Sequence, residues 1–336
     1  MALDSNCRTA NLADPLRFGT LGVARITAGG LTGPAADNPD VTVAAVAARD
    51  RSRAETFAEK HGIASVYDSY DEVILDPTLD AIYNPLPISH HHEYTIKALR
   101  AGKHVLCEKS FALNAAEAEE MAAIARETGL VLIEGFHTRY HPVFLRAMEI
   151  YDSGILGAIK RIDARFGIRT PATTDIRMNY ETGGGATMDI GCYPISWLRH
   201  IARQEPEVVS AEARIGNPDV DLWLKAEHRL ADGVVATTLG SMIEEQYVAE
   251  LRVQGERGSL LVDNPLLPQN SHFIELTVDG STTRETLSHR PTYAYQLDAF
   301  VDAVRNGTPL PTDAEDAVKQ MRVIDAAYRA AGMPTR

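Results

Sequence analysis

From Leu16 to Phe136 the chain alternates short β-rich runs with helical patterns, and no other feature narrows its possible folds as much. The β-rich runs are RFGTLG, VTVAAVAAR, AIYNPLP, HVLCEK and VLIEGF. Helices fit between them: one around Ala54 to His61 closed by Gly62, one from about His90 to Ala101 closed by Gly102, and one opened by Asn114 with Glu117 three residues on and stopped at Gly129. Parallel strands need long crossovers, so this alternation predicts a parallel sheet with helices on both faces.

After Pro142 the period changes. AIKRIDARFGI and VDLWLKAEHRL place apolar residues at every second position, as antiparallel strands with one wet face do. GVVATTLGSM, VAELRVQG, GSLLVD and HFIELTVDG read as further strands. Two late helices are expected, around Tyr293 to Arg305 and from Asp313 to Ala331, the second opened by Thr312 with Glu315 three later. The expected fold class is α/β in three parts. Residues 1–15 form an arm, 16–137 a doubly wound Rossmann domain for a dinucleotide, and 138–336 an α+β substrate-binding domain with an open, mostly antiparallel sheet.

A length of 336 residues exceeds one ordinary core. With 33 Lys and Arg against 46 Asp and Glu, the net charge of −13 repels phosphate backbones and anionic lipid, so neither nucleic acid nor a membrane is an expected partner. Residues 1–15 lack the basic start and apolar core of a signal peptide, and no run reaches membrane-spanning length. Cys7, Cys107 and Cys192 are scattered and form no CxxC pair, which fits a cytoplasmic protein without a disulfide or zinc framework. His90, His91 and His92 are adjacent, and adjacent helical residues point apart, so no metal site is expected there.

FGTLGVARITAGG runs from a strand through a turn into a helix, where free backbone N–H groups and the helix dipole can hold a pyrophosphate. Against the G-x-G-x-x-G template, Gly22 takes the first position, Ala24 the second and Thr27 the third. One glycine of three is a weak match, although alanine still allows close backbone approach. After the second strand, Ala48 stands where an acid would accept from a ribose 2′-OH, and Arg49, Arg51, Ser52 and Arg53 follow. Guanidinium groups match phosphate, so NADP is expected with Arg49 nearest the 2′-phosphate; Asp50 keeps NAD as the alternative.

HVLCEKSFALN sets Glu108 and Lys109 where the fourth β-rich run stops. Alone, such a pair reads as an exposed ion pair ending a strand. ETGGGATMDIGCYPISWLRH carries a triple glycine into Asp189 and, four later, Tyr193. Taken together, GTLGVARI, DAIYNPLP, AGKHVLCEKSFALN, GGGATMDIGCY and MRVIDAAYRAA resemble the glucose-fructose oxidoreductase, inositol dehydrogenase and MocA (Gfo/Idh/MocA) family, from about Arg17 to Ala331. EGFHTRYHP, and Tyr193 at its place after Asp189, make the chain most similar to the NADP-dependent aldose dehydrogenases and dimeric dihydrodiol dehydrogenases of that family.

The resemblance implies hydride transfer between nicotinamide and a CH–OH or C=O group of a sugar or cyclic diol. It implies Gly22, Ala24, Arg25, Ile26, Arg49, Asn84, Pro85, His91 and Glu108 as cofactor contacts, and Lys109, Asp189 and Tyr193 as the chemistry. Arg139, Tyr140 and Tyr180 are the expected substrate contacts. A homodimer or homotetramer is expected through an uncovered apolar face of the C-terminal sheet. Ser110 stands where the family has proline, whose cis peptide aims the lysine at the nicotinamide, and Ile88 stands at a family Asn position.

A tyrosine is a poor base at its free pKa near ~10, but a neighbouring ammonium favours the phenolate. Lys109 could act on Tyr193 in this way with Asp189 orienting, or Lys109 could itself be the acid and base with Tyr193 only binding substrate. Two other uses of the scaffold stand beside this one: reduction of a ketosugar nucleotide or an imine in natural-product assembly, and a dinucleotide sensor without turnover.

Overall fold

Six parallel strands, β1 (Leu16–Leu21), β2 (Val41–Ala47), β3 (Ser65–Tyr67), β4 (Ala81–Asn84), β5 (His104–Cys107) and β6 (Leu132–Glu134), form the first sheet in the order β3-β2-β1-β4-β5-β6. The computed structural model describes residues 14–169, 175–216 and 219–336, so most of the expected arm lies outside the described residues. Strand order reverses between β1 and β4, and a doubly wound sheet opens its ligand crevice there, beyond the carboxyl ends of the strands. β3 and the helix Tyr70–Leu75 are additions to the sequence reading. β3 is too short to show a period, but Ser69 and Glu72 form a capping box that the sequence does display.

Local chemistry sets the crossovers. Asn114 Oδ1 accepts from Glu117 N at 3.0 Å to open the helix Ala115–Thr128, and Gly129 closes it in the left-handed region. Asp50 opens the helix Arg51–His61, and Gly62 ends it in the same way. The helix Ala314–Ala330 departs from expectation at its start: Asp313, not Thr312, accepts from Asp316 N, at 2.9 Å. Thr312 is engaged elsewhere, donating to Glu134 O at 3.1 Å.

Eight strands make the second sheet: β7 (Ile159–Arg169), β8 (Glu207–Ile215), β9 (Asp221–Arg229), β10 (Val235–Ser241), β11 (Ile243–Gly255), β12 (Gly258–Asp263), β13 (Phe273–Val278) and β14 (Ser281–Glu285). Their order is β14-β13-β12-β11-β7-β10-β9-β8, with every pairing antiparallel except β10 with β7. The inner face buries Ile162, Ala164, Leu251, Val253, Leu224 and Ala236 in one core with the helix Cys192–Ala202. Alternate positions point outward and carry Arg161, Asp163, Arg165, Glu250 and Arg252, joined by ion pairs. Against the expected apolar face, these strands expose a mixed surface, in which the ion pairs stand beside exposed Val209, Ile215, Val235, Ile243 and Tyr247.

Helix Thr292–Asn306 returns to the first sheet. Its Leu297, Phe300 and Val301 share a core with Phe18, Leu31, Tyr83, Leu106 and Ile133, and the rings of Phe18 and Phe300 lie 5.4 Å apart.

Candidate active site

One cavity of about 760 Å³ runs from the carboxyl ends of β1, β2, β4 and β5 to the second sheet. At its first end β1 stops at Gly22, whose φ of +92° lets the chain turn sharply into the helical stretch that begins at Arg25. A side chain at Gly22 would also press on Leu86. Gly22, Ala24, Arg25, Ile26, Arg49, Pro85 and Glu108 all line the cavity. Arg53 and Tyr70 line it as well, although neither was among the expected contacts.

The charges here answer the question Asp50 raised. Its Oδ1 accepts from Ser52 N at 3.0 Å and Ser52 Oγ at 2.6 Å, so this carboxylate caps a helix and does not line the cavity. Arg51 is tied to Glu55 and Asp68, whereas Arg25, Arg49 and Arg53 face the cavity with no carboxylate partner among the described residues.

Asn84 and His91 do not line the cavity, which corrects their expected role as direct contacts. Both are fully buried behind its wall. Asn84 Nδ2 donates to Thr95 Oγ1 at 3.2 Å, and the ring nitrogens of His91 lie 2.9 Å from Ser110 O and 2.8 Å from Leu86 O. They brace the segment Pro85 to Ile88 and the turn after Lys109.

At the other end Lys109, Asp189 and Tyr193 converge although the first two are 80 residues apart. Lys109 Nζ donates to Asp189 O at 2.6 Å and to Asp189 Oδ1 at 3.1 Å. Arg177 Nε donates to Asp189 Oδ2 at 2.5 Å, and Arg177 also pairs with Asp175. Side chains of Lys109, Asp189 and Arg177 keep 15%, 19% and 31% of their exposure, enough to meet a ligand. Burial works against both charges of the central pair, but Asp189 outweighs it and holds Lys109 above the ordinary lysine pKa. Lys109 and Arg177 likewise hold Asp189 below the usual carboxylate range. Both stay charged at neutral pH.

Tyr193 differs from expectation. The Lys109 ammonium lies 5.4 Å from the centre of the Tyr193 ring, over its face, while the phenol oxygen lies 3.1 Å from His137 Nε2. Burial, with Tyr293 and Glu108 nearby, pushes the phenol well above its ordinary pKa, so Tyr193 stays protonated. Burial raises Glu108 too, and Tyr83 Oη donates to its Oε1 at 2.7 Å.

The Lys109–Ser110 peptide is cis. Ser110 Oγ donates to Met188 O at 2.8 Å, a bond that ties the lysine turn to the residue before Asp189 and that proline could not make. The triple glycine lets this second segment approach. A Cβ at Gly184 would fall 2.5 Å from Arg177 O, and one at Gly185 would collide with Asp221. Asp221 Oδ2 accepts from Thr187 N and Oγ1, each at 2.7 Å, and Arg336 Nη2 reaches Gly184 O at 2.9 Å and Asp221 Oδ1 at 3.1 Å.

None of the three expected substrate contacts lines this cavity. Tyr140 Oη meets Thr312 Oγ1 at 2.7 Å, Tyr180 Oη donates to Thr335 O at 3.1 Å, and Arg139 Nε is buried without a hydrogen-bond partner among the described residues. In their place stand His137, Phe166, Ile168, Arg177, Leu266 and Tyr293. His137 lies inside the EGFHTRYHP motif and could have been suspected; nothing local marks Arg177, Leu266 or Tyr293.

Comparison with known proteins supplies the lineage. Residues 16–136 match the model of an oxidoreductase family with an NAD-binding Rossmann fold, GFO/IDH/MocA, and residues 144–261 match the GFO/IDH/MocA C-terminal domain. A D-xylose 1-dehydrogenase (NADP(+)) from Haloferax volcanii is 33% identical over 321 residues, covering 94% of this chain and 97% of its own. A dTDP-3,4-didehydro-2,6-dideoxy-α-D-glucose 3-reductase from Streptomyces violaceoruber is 33% identical over 331 residues, covering 94% and 95%. The crystal structure of KijD10, a 3-ketoreductase from Actinomadura kijaniata in complex with NADP and TDP-benzene, superposes with a TM-score of 0.88 at 30% identity, covering 94% of this chain and 98% of its own.

Proposed function

Because this chain belongs to the GFO/IDH/MocA oxidoreductase family, we propose that it is an NADP-dependent oxidoreductase acting at a CH–OH or C=O group of a neutral carbohydrate or cyclic diol. The observation that carries this reading is the single cavity in which the Gly22 turn and free arginines occupy one end and Lys109, Asp189 and Tyr193 the other. The residues at the first end fit the cofactor. Backbone at Gly22 to Ile26 suits a pyrophosphate, and Arg49 and Arg53 suit a 2′-phosphate, with Asp50 withdrawn. Such a cofactor, when bound, supplies or accepts the hydride.

The protein's own part is to orient substrate and handle one proton. Asp189 and the Asp189 carbonyl take two hydrogens of the Lys109 ammonium, leaving the third for a substrate oxygen. The Tyr193 phenol offers a second. Both groups hold their protons at neutral pH, so the resting site is set as an acid. It suits a carbonyl whose oxygen becomes negative as it is reduced: the two donors stabilise that charge and one of them gives up its proton. Oxidation of the alcohol runs the same steps backwards. Arg177 acts through Asp189, fixing the carboxylate that fixes the lysine.

A second reading is a sugar-nucleotide ketoreductase, favoured by the likeness to KijD10 and to the dTDP-sugar reductase. Charge placement separates the two. At the substrate end Lys109 and Arg177 are matched by Asp189 and Asp175, and the wall also carries the apolar Phe166, Ile168, Ile176, Leu266 and Leu267 and the uncharged His137, Tyr193 and Tyr293. No unpaired cation among these residues awaits a diphosphate, which supports a neutral substrate. The test is NADPH absorbance against aldoses, ketosugars, trans-diols and dTDP-ketosugars, with Lys109→Ala and Tyr193→Phe as controls. Turnover confined to the nucleotide sugars would replace the first reading with the second. NADPH binding without turnover of any of them would leave a sensor.

A further inference from the structure

His137 is held on every side. It is 1% exposed, its Nδ1 lies 2.7 Å from Thr292 Oγ1, its Nε2 lies 3.1 Å from Tyr193 Oη, and its ring stacks on Tyr293 with centroids 3.9 Å apart. Burial, together with the Lys109 charge, takes the imidazole pKa down to about 3, so the ring is uncharged at working pH. An uncharged imidazole has one donor and one acceptor nitrogen, which permits only two arrangements. With hydrogen on Nδ1, the ring donates to Thr292, its Nε2 takes the phenol hydrogen, and Tyr193 turns a lone pair into the cavity. With hydrogen on Nε2, the ring donates to the phenol oxygen, Thr292 donates to Nδ1, and the phenol hydrogen is free to point at a ligand.

We propose that His137 is the positioning residue of the Tyr193 phenol: which of its nitrogens carries hydrogen sets whether that phenol turns a hydrogen or a lone pair towards the substrate. The first state matches an alcohol, which must donate, and the second a carbonyl, which must accept. The two states hold the same number of protons and differ only in which ring nitrogen carries one. Thr292 completes the device by serving as acceptor to one state and donor to the other. The inference rests on the reading of Tyr193 as a substrate contact given above.

Two measurements test it. Imidazole ¹⁵N spectra of the NADPH-bound protein should show the Nδ1 and Nε2 resonances of His137 moving in opposite directions, as a change of tautomer requires, in Tyr193→Phe and again in Thr292→Val. In steady-state kinetics His137→Leu should lower kcat by about tenfold to a hundredfold, the scale on which a misplaced group costs rate, with NADPH affinity unchanged. His137→Gln, whose amide can still donate to or accept from the phenol, should recover most of that loss. In a Tyr193→Phe background His137→Leu should cost nothing more. Additive losses in the double variant, or an Nε2 resonance indifferent to Tyr193, would overturn the proposal while leaving the enzyme assignment intact. Absence of turnover with every substrate in the panel would instead remove the enzyme reading, and the proposal with it.

Discussion

The two ends of the cavity are built on different plans. The cofactor end uses short local stretches, each just past the carboxyl end of a parallel strand: 22–26 after β1, Ala48, Arg49 and Arg53 after β2, and 85–88 after β4. Strand geometry places them, and their cations are left free. The substrate end draws Lys109, His137, Phe166, Arg177, Asp189, Tyr193, Leu266 and Tyr293 from separate segments, and its cations are already matched by carboxylates. One end is made to attract a charged ligand; the other holds its charges in a fixed pattern and waits for hydrogen-bonding geometry. Substitutions should therefore act on affinity at the first end and on turnover at the second.

The sharpest break of that contrast is Lys109→Ala. It removes a proton donor and leaves Asp189 to Arg177 alone, and kcat/KM should fall by about a thousandfold, while NADPH affinity by fluorescence titration stays near wild type. An equal loss in affinity would mean that the ends are not separable. Next in size is Arg49→Ala with Arg53→Ala. Losing charged hydrogen bonds to a 2′-phosphate costs about 1.5–3 kcal/mol each, so NADPH binding should weaken strongly and NADH binding hardly at all. Equal weakening of both cofactors would place the arginines away from the phosphate.

Acid should act outside this division. His137 in the cavity and His228 beneath the second sheet are both buried and lowered from near 6.5, to about 3 and about 4, chiefly by burial. Between those values and 6.5 the unfolded chain binds protons that the native state refuses, so stability falls as pH falls through that window, by about 1.4 kcal/mol per pH unit for each histidine. Urea midpoints measured from pH 7 to 5 should drop, and less steeply in His228→Gln. A flat profile would show both rings protonated in the native state. The smallest effect belongs to Ser110→Ala, which removes the bond to Met188 O: about 1 kcal/mol of stability, with a loss in kcat and none in NADPH affinity. An unchanged kcat would make that bond irrelevant to the placement of Asp189.

The same contrast explains what the sequence revealed. A turn after a strand is a local pattern, so Gly22 and Arg49 could be named from the sequence, whereas Arg25 came from the family resemblance. Asp189 and Tyr193 were named through the family resemblance, on a segment marked by a triple glycine whose close contacts at Gly184 and Gly185 explain the glycines. Tyr140 and Tyr180 stand off the cavity because a motif reports which residues are present and not which way they face; their hydroxyls are engaged by Thr312 and Thr335. Arg177 and Tyr293 carry no local signature, since only the tertiary arrangement sets their roles. The outer face of the second sheet is more charged than expected, and those charges were already there in AIKRIDARFGI, beside exposed apolar residues such as Val235 and Ile243. Thr312 and Asp313 are both fair caps by type, and the choice was made by Glu134, whose carbonyl engages the threonine.

Helix Thr292–Asn306 links chain order to engineering. Leu297 and Phe300 roof the aromatic floor made by Phe18 and Tyr83, so the nucleotide-binding half borrows part of its core from residues far downstream. A chimera spliced at residue 137 would inherit every strand of the parallel sheet and none of that roof, leaving a greasy surface prone to clumping. Grafts that carry the returning helix along should stay in solution where the simple splice precipitates.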